Sequence, residues 1–70
     1  MNSPSLDPQV QALFEKLVLT YEDVATELNV SVSFVRKLVS EDKIPYAKVG
    51  RLVRFSRLRI QEWLQKGGNR

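Results

Sequence analysis

Between Tyr21 and Val39 the apolar positions fall into two short sets separated by a break at Asn29. Val24, Ala25 and Leu28 form the first, and Val35, Leu38 and Val39 the second. Spacings of three and four residues put each set on one face of a helix. Thr20 stands where an N-cap is wanted, with Asp23 three residues on completing a capping box, and Ser31 stands at the start of the second helix. Ala25 is small enough to let that helix cross closely. Asn29 occupies the sharp turn, where asparagine is the best substitute for glycine in left-handed backbone, and Val30 is expected to plug the gap between the helices. The second helix should run to about Glu41 and end through Lys43-Ile44-Pro45, because proline disfavours helical backbone just before it. Its outward positions are Val32, Ser33, Arg36, Lys37 and Ser40.

The flanks follow the same logic. Asp7-Pro8 is a helix-start signal, and Val10, Leu13, Phe14 and Leu17 then form one stripe, predicting an amphipathic helix over 8–16. That stripe is expected to pack on the rest of the domain; docking on a partner or a second copy is the alternative. Leu17-Val18-Leu19 reads as a short extended lead-in. Residues 46–49 and 52–55 have strand composition, and Val49-Gly50-Arg51-Leu52 supplies a two-residue turn with glycine first. Val53 and Phe55 should point inward and Arg54 outward. Ser56 then caps a last helix whose Leu58, Ile60, Trp63 and Leu64 include the stripe that closes the core, and Gly67-Gly68 ends it. The prediction is a mainly α fold with a small β-hairpin: a winged helix-turn-helix of three core helices plus an additional N-terminal helix. It spans 7–66, between a flexible N-terminus at 1–6 and a flexible tail at 67–70.

Composition narrows the chemistry. Seventy residues make one domain near the lower limit for a self-sufficient core. With no cysteine and no histidine, there is no disulfide, no thiolate metal site and no imidazole base. No cofactor or small-molecule ligand is expected, and no apolar run is long enough to span a membrane, so a cytoplasmic location is the default. Residues 1–30 carry one base against five acids, whereas residues 31–70 carry ten bases against three acids. Such segregation suggests one cationic face suited to a polyanion.

A helix-turn-helix offers its second helix to the DNA major groove. Arg36 and Lys37 are the best candidates there for base or phosphate contacts, since arginine can grip guanine with two bonds and lysine suits phosphate. Ser31 and Ser33 could donate to phosphates, although capping is a sufficient role for Ser31. Val32 and Phe34 are expected to pack. In the hairpin, Lys48, Arg51 and Arg54 are candidates for the minor groove, whose potential attracts cations. Tyr46 and Trp63 make no stacking platform, and Trp63 is expected in the core.

The series Leu19-Thr20, Val24-Ala25, Leu28-Asn29-Val30-Ser31, Val35-Arg36-Lys37-Leu38, Ile44-Pro45, Lys48-Val49-Gly50-Arg51, Arg54-Phe55 and Trp63-Leu64 resembles the excisionase family over about residues 17–65. These are small winged helix-turn-helix proteins similar to the DNA-binding part of MerR-type regulators. The resemblance implies an accessory factor of a phage or mobile element that binds attachment-site DNA, often as several copies, bends it and helps an integrase run excision. It places Ser31, Ser33, Arg36 and Lys37 on the groove-facing helix and Lys48, Arg51 and Arg54 on the wing. Phe34 and Arg59 depart from the family pattern, the first replacing a small residue and the second an acid. A purely transcriptional regulator and a protein-interaction adapter are the competing readings. An enzyme is a distant third, because no base, metal set or phosphate loop accompanies the serines and carboxylates.

Overall fold

The computed structural model describes residues 7–68, without the side chains of Gln11, Phe14 and Glu15. The flexible N-terminus expected at 1–6 and the last two residues of the tail expected at 67–70 lie outside that range. Four helices and three short strands follow in the order α1 (Pro8–Leu17), β1 (Val18–Leu19), α2 (Tyr21–Leu28), α3 (Val32–Ser40), β2 (Ala47–Val49), β3 (Leu52–Ser56) and α4 (Arg57–Gln65). The architecture is a winged helix-turn-helix with one more helix in front. The three strands form an antiparallel sheet in the order β1-β3-β2. The extended lead-in is therefore a true strand: Val18 lies opposite Ser56 and Leu19 opposite Phe55.

Side-chain caps fix the start of each helix. Asp7 Oδ1 accepts from the amides of Gln9 and Val10 at 2.8 and 3.1 Å. Thr20 Oγ1 accepts from Asp23 N at 3.1 Å, and Asp23 Oδ2 accepts from Thr20 N at 3.0 Å, the reciprocal capping box. Ser31 and Ser56 take the amides of Phe34 and Arg59 at 3.1 and 3.3 Å. The ends of α2, α3 and α4 share a left-handed turn. Asn29 has φ 59° and ψ 46°, while Val30 N donates to Ala25 O at 2.9 Å, a Schellman closure. Gly67 closes α4 in the same way, at φ 98°, with Gly68 N donating to Trp63 O at 2.8 Å. For α3 the terminator differs from the expected one. Asp42 turns left-handed at φ 59° and Lys43 N donates to Leu38 O at 2.8 Å, so the helix is closed before Pro45 is reached.

The core is Leu19, Val24, Ala25, Val35, Leu38, Ile44, Val53, Phe55 and Ile60. Phe55, only 1% exposed, occupies the central strand and meets the Tyr21 ring edge-on at 5.6 Å. Tyr21, Leu28, Val32, Val39 and Trp63 pack against this cluster. Trp63 anchors its rim as Nε1 donates to Lys43 O at 2.9 Å.

Several packing expectations are corrected. Three of the four residues of the α1 stripe are left uncovered by the domain: Val10, Leu13 and Leu17 are 45%, 58% and 57% exposed. The helix touches β1 and α4, and neither covers these three side chains. Val30 is exposed rather than a plug, because the Schellman turn brings its backbone inward and swings its side chain out. Val32, although its helical position is among the outward ones, is half-buried against the core, in line with the packing expected of it. Phe34 is exposed instead of packed against the wing or the N-terminal helix, and in α4 only Ile60 and Trp63 close the core while Leu58 and Leu64 stay in solvent. Across the back of the domain, Arg57 fastens three elements. Its NH1 reaches both carboxylate oxygens of Glu27 at 2.8 and 2.7 Å, and its Nε donates to Lys16 O at the end of α1.

Candidate nucleic-acid interface

Burying Val35 and Leu38 sets the rotation of α3, and that rotation aims every other side chain of the helix. Residues two positions either side of Val35 point most directly away from the core. Those are Ser33 and Lys37, both exposed. Ser40, one turn on from Lys37, donates to Lys37 O at 2.9 Å, which occupies its proton. Ser31 holds the helix start and is itself exposed. Arg36, one residue from Val35, leaves on the flank of α3 rather than its crest. Its guanidinium carbon lies 4.7 Å from the centroid of the Tyr21 ring.

Tyr21 is the residue that sequence reasoning missed. Its ring is braced on one side by Phe55 and carries Arg36 on the other, so the core reaches the candidate interface through two aromatic contacts. A cation over an aromatic face at a semi-exposed site is worth about 1 kcal/mol, roughly fivefold in affinity if the contact is retained on DNA. Tyr21→Leu is therefore expected to weaken duplex binding about fivefold, whereas Tyr21→Phe keeps wild-type binding. In an Arg36→Ala background Tyr21→Leu adds no further loss. A gel-shift titration of the four variants checks this, and equal losses in both backgrounds would show that Tyr21 acts on the fold alone.

The hairpin places its three cations differently from a single cluster. Gly50 has φ 63° and Arg51 does not share a positive value, as in a type II′ turn with glycine first. Arg51 sits exposed at the tip. Lys48 lies opposite Val53, while Arg54 lies opposite Ala47. Since Val53 is buried and strand neighbours alternate in direction, Lys48 and Arg54 project from opposite faces of the ribbon. Arg54 is also half-buried and donates from NH1 to Val53 O at 2.7 Å. The wing thus presents one cation on each face and one at its end.

Asp42 beside Tyr46 pushes the phenol above its ordinary pKa by charge, with desolvation and a hydrogen bond between the two side chains adding to it. Among the described residues ion pairs engage Lys43 with Glu41 and Arg57 with Glu27, so Arg57 is withdrawn from the cationic face. No cluster of three metal-ligating side chains occurs among the described residues, and none of their helices is long and apolar enough to cross a membrane.

The exposed face of α3, the second of two helices joined by a tight turn, flanked by a cation-tipped hairpin, defines a winged helix-turn-helix of the DNA-binding class. A family model described as a helix-turn-helix domain matches residues 18–68. The chain belongs to that family, a DNA-binding helix-turn-helix family that includes excisionase-like proteins. The match begins at β1, leaving α1 outside the shared part. No curated protein and no solved structure matches the chain.

Proposed function

We propose that this chain is an excisionase-like accessory factor: it binds and bends attachment-site DNA so that an integrase excises a mobile element. The observation that carries the reading is the pairing of two free basic projections. The crest of α3 and the tip of the wing both stand clear of the core, as a major-groove helix and a minor-groove ribbon must. In this reading Ser31, Ser33, Arg36 and Lys37 meet the major groove, and Lys48, Arg51 and Arg54 meet the adjacent minor groove or backbone. The partners are double-stranded DNA, an integrase and further copies of the chain, with the exposed α1 stripe available for protein contacts. The activity is binding, without catalysis or a cofactor.

A footprint on sites selected from random duplex tests the reading. Sites beside an integrase gene's attachment region support excision, whereas sites over a promoter shift the role to transcriptional control. Absence of salt-sensitive duplex binding would leave the protein-adapter reading in its place. With five or six phosphate contacts, log affinity should fall by about 5 per decade of salt. Arg51→Ala should make that slope shallower by about 1. An unchanged slope takes Arg51 off the phosphate list.

A further inference from the structure

The wing tip carries two aliphatic side chains that the fold does not use. Val49 and Leu52 face each other directly across the hairpin, next to the turn, and are 61% and 53% exposed. They lie on the ribbon face that points away from buried Val53 and Phe55, the face shared with Ala47 and Arg54. Such a pair gains nothing for the core where it stands. Its position beside Arg51, rather than on the back of the domain, is the informative point.

We propose that Val49 and Leu52 form an apolar wedge that seats in a DNA minor groove and bends the duplex. The inference rests on the DNA-binding reading above and adds the means of bending. Minor-groove proteins commonly pry base steps apart with aliphatic side chains while cations hold the flanking phosphates. The geometry here supplies both parts. With the Val49–Leu52 face turned to the groove floor, Arg54 on that face and Arg51 at the tip lie beside the pair where phosphates flank the groove, while Lys48 projects from the opposite face. The space around Gly50 is open, with no heavy atom within 4 Å of a built Cβ, so nothing in the chain obstructs the approach. Charge decides the occupant: the three cations of this short hairpin favour a polyanion and repel the identical tip of a second copy.

The test uses the full chain on a short duplex recovered by selection, with dyes at its two ends reporting the bend by energy transfer. The double substitution Val49→Ser with Leu52→Ser is expected to remove more than half of the bend. Affinity should fall about tenfold, while the salt slope stays at the wild-type value because every cation remains. Leu52→Met, which keeps an apolar tip, should retain the bend. Both substituted positions are exposed, so the thermal melt of the double variant should match wild type. A wild-type bend in the double variant overturns the proposal. So does loss of self-association without DNA, which would assign the pair to a contact between copies. Wild-type protein that binds but leaves the duplex straight sinks the wedge alone, whereas failure to bind duplex sinks the DNA reading itself.

Discussion

Phe55→Ala is expected to remove about half or more of the domain's stability. The ring is 1% exposed on the central strand, its backbone is paired with β1, and its edge contact with Tyr21 ties β3 to α2. Truncating a buried phenylalanine costs about 3–5 kcal/mol. A chain of this size has only about 4–10 kcal/mol of total stability, so most of the margin goes with one side chain. Urea denaturation followed by circular dichroism checks the figure, and Phe55→Leu, which keeps most of the volume, should cost only about 1–1.5 kcal/mol. Duplex binding should fall in step with the folded fraction, because the same ring braces Tyr21 beneath Arg36. A melt of Phe55→Ala within a degree or two of wild type would place the centre of the core elsewhere.

Local chemistry was legible in the sequence wherever a short-range rule controls it. The Thr20–Asp23 box, the Ser31 and Ser56 caps, the left-handed Asn29 and the glycine-first turn all follow from residues within four positions of one another. What failed was coverage. Periodicity says that Val10, Leu13 and Leu17 share a face, but not whether anything lies opposite that face. The same gap accounts for Phe34, Leu58 and Leu64. The pairing of Val18 with Ser56 was missed because a two-residue strand has no period to detect. Asp42 was overlooked as a terminator since proline three residues later looked sufficient.

The candidate interface divides in the same way. The residues on the crest of α3 could be named from the helical repeat, and Arg51 from the turn. Tyr21 could not, since it meets Arg36 only through the crossing of α2 and α3, across fifteen positions of sequence. The opposed directions of Lys48 and Arg54 were within reach, for strand parity and a two-residue turn fix the register. That arrangement changes the picture of the wing from a basic patch into a two-sided blade.

If α3 enters the major groove, Lys37→Glu should be the most damaging surface change in the protein. Lys37 projects from the crest, stands in no ion pair among the described residues, and its backbone is held by the Ser40 hydroxyl. Removing a phosphate contact and installing a like charge against the backbone should together cost about 3 kcal/mol or more, at least a hundredfold in affinity. Folding should change little, by about 0.3–1 kcal/mol, because an acid in the last helical turn opposes the helix dipole. Lys37→Gln, which deletes the charge without reversing it, should lose only part of the affinity. The gap between the two variants should narrow as salt rises, since screening weakens repulsion between exposed charges. Duplex titrations at two salt concentrations, beside a thermal melt, separate these effects. Wild-type affinity in Lys37→Glu would mean that the crest of α3 faces solvent in the complex and that the wing alone holds the DNA.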